Sequence, residues 1–161
     1  MNKLNPSSSG FRLSPGDINP GATTFAAYAS GIVYALTATS ALLDFGTTDP
    51  SITIAIPGTY IINARIRVDY NAATFAAVRT VTLKLRRTNN TAADLTNGSA
   101  AFKTEIITTL TYTGEIVSIP LVIYTTLNSD DIIQIFGSID VVPSAGSIDC
   151  AEAEIIAVKI N

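Results

Sequence analysis

Charged side chains, the groups most able to bind or react, are sorted by sign along this chain. Six of the ten basic residues lie between positions 65 and 87, whereas eight acidic residues and no basic one lie between Lys103 and Lys159. Such clusters either form solvated faces or meet an opposite charge in the fold. Asp130-Asp131 could also hold a hard cation together with loop carbonyls, and a solvated turn is the alternative interpretation for this pair.

No catalytic constellation accompanies these charges. The chain has no histidine, which removes the commonest general base, the usual serine and cysteine triads and the commonest metal ligand. Cys150 is the single cysteine, so no internal disulfide forms and we expect a buried free thiol. A glycosidase built from carboxylates alone is disfavoured because no tryptophan is present to stack a sugar. The sequence therefore predicts a protein that is not an enzyme and that has no cofactor.

The strands that would position these charges are clearest between residues 52 and 70. Ile52, Ile54 and Ile56 alternate with Thr53 and Ala55 up to a Pro57-Gly58 turn. The alternation then continues with apolar residues at every second position, which are Tyr60, Ile62, Ala64, Ile66, Val68 and Tyr70. A period of two predicts two antiparallel strands, each with one buried and one exposed face.

The rest of the chain also favours strands. Ile, Thr and Val make up 51 of the 161 residues, a length suited to one domain. We predict two or three short strands in residues 25–45 and further strands in residues 81–86, 101–112, 117–124, 132–139 and 150–160. Residues 88–99 are polar and predict a surface connection. Eight to ten short strands predict an all-β, antiparallel sandwich or jelly roll.

Two classes of partner are disfavoured by composition. The formal charge of -3 argues against a sequence-independent nucleic-acid binder, because such affinity comes from Lys and Arg on phosphates. Residues 25–43 are uncharged and long enough for a membrane helix, but they are rich in Ala, Ser and Thr and lack a basic flank. We therefore expect no membrane span. No apolar run follows Lys3, so we also expect no secretory signal peptide.

The first 24 residues form a separate region. They contain a Ser-Ser-Ser-Gly run, three prolines and a further two glycines, a density that predicts an extended arm rather than a regular element. We predict that residues 1–24 dock on a neighbouring subunit or on a scaffold or capsid protein, and that residues 25–161 form the jelly-roll domain.

Three short motifs resemble a known superfamily. Residues 54–64 (IAIPGTYIINA) are similar to its apolar, Gly, x, Tyr, x, apolar strand pair, and residues 153–160 (AEIIAVKI) are similar to its closing strand. Residues 127–135 (LNSDDIIQI) resemble its polar turn and following strand, with Asp130 where the family usually has glycine. The likeness spans residues 25–161 and is to the trimeric jelly rolls of the tumour necrosis factor (TNF) and complement globular-head superfamily, which includes bacterial and phage members.

The resemblance implies a homotrimer with one sheet of each protomer around the threefold axis. An apolar content of 47% and a positive mean hydropathy of +0.36 exceed what one monomer of this size needs to cover. We predict that Tyr60, Tyr124 and Phe136 are aromatic anchors of the trimer interface. The alternative is that they fill the core of their own protomer.

The resemblance also implies that basic and acidic residues lie on neighbouring strands. In the resembled fold, the strand of Arg65 and Arg67 lies beside the closing strand of Glu152 and Glu154. We therefore hypothesise cross-strand or intersubunit ion pairs between these two sets, with two independent solvated faces as the alternative.

Two functions are compatible with these features. The first is a structural protein of a virion, a trimeric knob anchored by its arm to a larger assembly, as a phage capsid decoration or a head or tail fibre. The alternative is an adhesin or receptor-binding module that recognises a host-surface glycan or protein through loops 88–99 and 141–147. Both predict a place at the virion surface for a protein made in the cytoplasm.

Overall fold

The computed structural model describes residues 24–46, 49–75, 79–89, 91–104, 110–112 and 115–160. Within these ranges the chain forms ten strands and no helix, so the predicted all-β class is confirmed. The strands are β1 (Thr24–Ala35), β2 (Ala41–Leu42), β3 (Ser51–Thr53), β4 (Gly58–Phe75), β5 (Arg79–Arg87), β6 (Ala93–Thr104), β7 (Leu110–Tyr112), β8 (Glu115–Leu127), β9 (Ile132–Ile139) and β10 (Ala145–Lys159).

The strands form two antiparallel sheets that pack as a jelly-roll sandwich. In sheet I, β1 pairs with β10 and β10 with β4, while β7 and β8 pair with successive parts of β4. In sheet II, β2 and β3 pair with one side of β9, β5 pairs with its other side, and β6 pairs with β5. Among the described strands, β8 has β4 as its only pairing partner, so Pro120, which cannot donate to a ladder, lies on an edge strand.

The core lies between the sheets and is built by alternate residues of each long strand. On β4, Ile62, Ala64, Ile66 and Val68 are buried, while Asn63, Arg65 and Arg67 between them point outward. The same alternation buries Val81, Leu83 and Leu85 on β5 and Ile133, Ile135 and Ile139 on β9. β-branched side chains fit such pleated, half-buried surfaces well, which explains why a sequence rich in Ile and Val folds this way.

The strands predicted in residues 52–56 and 60–70 are present, but they do not pair with each other. The first is β3 in sheet II and the second is β4 in sheet I. Pro57-Gly58 therefore crosses between the sheets instead of closing a hairpin. The Tyr60 hydroxyl fixes this crossing by donating a hydrogen bond of 2.5 Å to the Ile56 carbonyl.

The predicted surface connection at residues 88–99 is wrong from residue 93 onward. Ala93 begins β6, and the register shifts between Lys84 and Arg86, so that residues 95–98 bulge from the strand. Asn97 has a positive φ of 58°, and the buried Gly98 lacks room for a Cβ against Leu95. Asn-Gly thus forms a bulge here, because an edge strand with one exposed face accommodates the polar residues that suggested a loop.

Residues 25–43 form strands, as predicted, in β1 and β2. No helix long and apolar enough to cross a membrane occurs in the described part of the chain. The predicted arm at residues 1–24 lies outside the described residues except for Thr24, which begins β1.

The two ends of the sandwich are distinct. At the arm end, Thr24 pairs with Val158, and this end also holds the turn around Asp130. At the far end, Ala35 pairs with Asp149, and the Ser144 amide donates to the Thr74 carbonyl.

Candidate functional site

The candidate site is the outer face of sheet I, formed by the outward side chains of β1, β10, β4 and β8. These four strands are neighbours in that order, so their outward residues lie side by side in rows. The face divides into an apolar part near the arm end and a charged part in the middle.

The apolar part, the apolar belt, consists of Ile61, Val122, Tyr124, Ile156 and Val158. Exposed fractions are 69% for Tyr124, 62% for Val122, 39% for Ile61 and 37% for Val158. Ile61 lies opposite both Tyr124 and Val158, and Asn63 lies opposite both Val122 and Ile156, so the belt is continuous across three strands. Contiguous exposed apolar surface of this kind is typical of a protein interaction site.

The charged part, the ion-pair ladder, joins β4 to β10. Arg65 Nη2 lies 3.1 Å from Glu154 Oε2, and Arg67 Nη1 lies 2.5 Å from Glu152 Oε1. Each pair is directly opposite in the register of β4 and β10. The structure therefore brings the four candidate charges together across two strands of one chain.

Arg67 has a second carboxylate beside it. Its Nε lies 3.4 Å from Asp69 Oδ1. Desolvation alone would lower the pKa of Arg67, but the carboxylates of Asp69 and Glu152 raise it overall. The guanidinium consequently remains charged and neutralised within its own chain.

A shallow depression of about 300 Å³ lies between the belt and the ladder. It is lined by Asn63, Ala64, Arg65, Pro120, Glu154 and Ile156. This volume is at the lower limit for small-molecule sites, and the lining contains no nucleophile. The depression suits a side chain from a partner surface better than a reaction.

The structure does not bring the three predicted aromatic anchors together. Tyr60 is fully buried and packs at 6.2 Å between ring centroids against Phe25, so it fills the core of its own chain. Its burial raises the pKa of its hydroxyl. Tyr124 is the most exposed member of the belt, whereas Phe136 lies on the outer face of sheet II, 5.6 Å below the Arg86 guanidinium. A role for these residues at a trimer interface stays a prediction.

The solvated-turn interpretation is wrong for Asp131. Its side chain is fully buried, accepts a hydrogen bond of 2.9 Å from the Asn128 amide and lies 3.4 Å from Arg87 Nη1. The carboxylate closes the turn because Arg87 compensates its charge. Asp130 is exposed with a φ of 66°, the left-handed region that favours glycine. The described residues contain no group of three or more His, Cys, Asp or Glu side chains that could hold a metal ion.

Cys150 is a buried free thiol, as predicted. Burial raises its pKa to about 12, and its Sγ donates a hydrogen bond of 3.3 Å to the Glu152 carbonyl. The thiol therefore stays protonated and unreactive at neutral pH.

The two loops predicted as candidate binding surfaces lie at opposite ends of the sandwich. The Thr88 amide donates to the Ile132 carbonyl at the arm end, whereas the Asp140 amide donates to the Thr80 carbonyl at the far end. These points are separated by the length of β9, roughly 24 Å for eight residues. One binding site cannot include both loops.

Three belt residues, Ile61, Ile156 and Val158, were not singled out from the sequence. The signal was present at residues 155–158, where apolar residues occupy both faces of the closing strand. The same pattern, with apolar residues on both faces, occurs on β8 at Val122 and Tyr124.

Comparison with known proteins identifies the fold. No protein-family profile and no curated protein sequence matches the chain. The solved structure of Eiger TNF from S. frugiperda is similar, with a TM-score of 0.54 and 14% identity over 86% of this chain and 94% of that one. The globular domain of zebrafish complement 1qA matches with a TM-score of 0.50 and 12% identity over 85% of this chain and 95% of that one. With its two antiparallel sheets, the chain is a TNF-like jelly roll.

Proposed function

We propose that the chain is a homotrimeric structural knob, anchored by residues 1–24 to a larger particle of the virion type, as a capsid decoration or a head or tail fibre. The observation that carries this proposal is the outer face of sheet I. A free monomer would leave the apolar belt in water, and a second copy would remove it from water.

The composition of this face supports burial against another copy. Specific interfaces combine an apolar centre with polar groups whose hydrogen bonds are satisfied. The belt supplies the centre, and the ladder supplies charges that Arg65 and Glu154, and Arg67 and Glu152, already neutralise within the chain. These charges need no counter-ion from the partner, so a copy can approach without leaving a buried charge unpaired.

The position of Thr24 supports anchoring from one end. Thr24 pairs with Val158, a member of the belt, so residues 1–23 join the domain beside the proposed contact. Three copies joined through their belts would bring three arms to the same end. Such an arrangement fits a knob held on a scaffold by its arms.

A receptor-binding module remains a second candidate because of the far end. Val141 and Val142 are about half exposed on the β9–β10 loop, at the end opposite to Thr24. An anchored knob would present this loop outward to a host-surface glycan or protein. Thr88 and Asn89, in the other predicted loop, lie at the arm end and are not part of this candidate surface.

Light scattering of the full chain tests the proposal. The expected mass is three times the 16.9 kDa of one chain. A stable monomer at micromolar concentration would contradict the trimer. Deletion of residues 1–23 should leave the trimer folded but abolish its incorporation into particles, and incorporation without the arm would contradict the anchoring role.

A further inference from the structure

The depression on the outer face of sheet I has a mixed lining that suits one kind of side chain. Pro120 and Ile156 line it with apolar surface, whereas Asn63, Arg65 and Glu154 line it with polar groups. A phenol ring matches such a lining, because its body is apolar and its hydroxyl can both donate and accept a hydrogen bond. The lining therefore favours a tyrosine side chain.

The size of the depression agrees with a single ring. Its volume is about 300 Å³, and a cavity of about 150 Å³ already holds a benzene ring. The depression is shallow, so a free small molecule would remain largely exposed to water, whereas sites for such ligands bury most of the ligand surface. A side chain carried on a protein surface does not have this disadvantage, because the surrounding contact covers it.

Tyr124 carries such a ring on the same face of the molecule. Ile123 is buried, so Tyr124 points outward from β8, and it is the most exposed large apolar side chain of the described residues, at 69%. The lining of the depression in its own chain does not include Tyr124. Pro120, which does line it, lies four residues away, roughly 14 Å along the strand. The ring therefore stays in water unless another molecule covers it.

The ladder supplies a hydrogen-bond acceptor for the tyrosine hydroxyl. Arg65 Nη2 lies 3.1 Å from Oε2 of Glu154, so the other oxygen of this carboxylate can accept a further hydrogen bond. A bond from a hydroxyl to a carboxylate is stronger than one between neutral groups. The acceptor would satisfy a hydroxyl that the contact removes from water.

A second copy of the chain is the occupant that the surface favours. Ile156 belongs both to the apolar belt and to the lining, so a contact that buries the belt also covers the depression. Each copy presents a ring and a depression at different places on one face. Such a contact can repeat head to tail, and it closes into a ring when the rotation between copies is threefold.

We propose that Tyr124 of one copy inserts into the depression of the next copy, where its hydroxyl donates a hydrogen bond to Glu154. The inference rests on the trimer proposed above and adds which residues meet across the contact. The neighbouring copy completes the depression, and every copy both gives and receives one ring.

Dissociation of the full chain on dilution, followed by light scattering, tests the contact. Tyr124→Ala should raise the concentration of half-dissociation by at least about thirtyfold, as expected for a central aromatic anchor. Tyr124→Phe keeps the ring and should raise it by about three- to tenfold through the lost hydrogen bond. Tyr28→Ala is the matched control, because Tyr28 is also exposed on this face. It should raise the concentration by less than about threefold.

Two further measurements separate the contact from a general loss of structure. Tyr124→Phe and Glu154→Gln combined should weaken the trimer by less than the product of their separate effects, because both remove the same hydrogen bond. The photoreactive residue p-benzoylphenylalanine at position 124 should give covalent dimers and trimers on irradiation. In the dimer, the crosslink should lie on residues 63–65 or 154–156 of the other copy. The same residue at position 142, on the far-end loop, should give no covalent oligomer.

Three results would overturn the inference while the trimer stands. Tyr124→Ala could weaken a trimeric chain no more than Tyr28→Ala does. The effects of Tyr124→Phe and Glu154→Gln could multiply, which would place the hydroxyl away from Glu154. Crosslinks from position 124 could lie outside the lining of the depression. A wild-type chain that is monomeric in light scattering would overturn the contact and the trimer together.

Discussion

The outer faces of the two sheets follow the same alternation but use it differently. On sheet I, the outward positions hold the apolar belt and charges that pair within the chain. On sheet II, they hold hydroxyls and charges of both signs, with Asp94 beside Lys84 and Arg86. Since both inner faces build one core, the difference concerns what each face meets outside the protomer. Sheet I is suited to another protein surface, and sheet II to water.

The largest expected effect comes from placing a charge in the belt. Val122→Asp should weaken trimer assembly by at least about tenfold, because the contact would bury an unpaired carboxylate. Val142→Asp makes the same change at a similarly exposed valine on the far-end loop and should leave assembly intact. Light scattering over a dilution series measures both variants. If the two variants had equal masses at every dilution, the belt would be no more important for assembly than the far-end loop.

The next effect compares the stability contributed by the exposed ion pairs of Asp94 with that of the buried Arg87–Asp131 pair at the arm end. Asp131→Asn should lower the free energy of unfolding by about 3 kcal/mol, because it leaves Arg87 without its compensating charge. Asp94→Asn on the outer face of sheet II should cost less than about 1 kcal/mol, since its ion pairs are exposed. Urea unfolding of both variants measures the difference. Equal losses of unfolding free energy would mean that the exposed ion pairs of Asp94 stabilise the fold as much as the buried pair does.

The pH dependence of the free energy of unfolding tests a residue of the core, the buried Cys150 thiol. The Cys150 thiol has an ordinary pKa of 9.0, which burial raises to about 12 in the folded chain. The unfolded chain therefore releases this proton first, so the contribution is fully present below pH 9 and is lost between pH 9 and about 12. Stability should fall by about 1.4 kcal/mol per pH unit within that window. Cys150→Ala should remove this part of the slope in urea unfolding, and an unchanged slope would assign it to other groups.

The smallest effect concerns the ladder. Glu154→Gln should change the stability of an isolated protomer by less than about 1 kcal/mol, because the Arg65–Glu154 pair is partly exposed. In the assembled state the same change would leave Arg65 uncompensated in the contact, so it should weaken the trimer more than the protomer. Equal effects on dissociation and on unfolding would place the ladder outside the interface.

The architecture was predictable because period-two alternation and β-branched residues are local signals. They located β4, β5, β8 and β9 and the class of the fold. They did not show that β3 and β4 belong to different sheets, since pairing depends on residues far away in sequence. Asn97-Gly98 was misleading for the same reason, because only the pairing of β6 with β5 makes it a bulge.

The candidate site was predictable only in part. Alternation alone assigns Tyr60 to the side of Ile62 and Ile66, which is the core, so its burial could have been foreseen. Tyr124 was singled out, but its neighbour across the sheet, Ile61, sits on the face that Arg65 and Arg67 marked as polar. Residues that are local exceptions to a pattern become a surface only when the register sets them side by side.

The bulge in β6 has a further consequence at high local concentration. Among the described strands, β6 pairs only with β5, so it is an edge strand of sheet II that borders β8 of sheet I without pairing with it. An edge of this kind can pair with a strand from another molecule. The four-residue excursion at 95–98 interrupts that edge, and Lys103 and Asp94 place charge on either side of it. Many copies crowded together would thus resist edge-to-edge aggregation through β6.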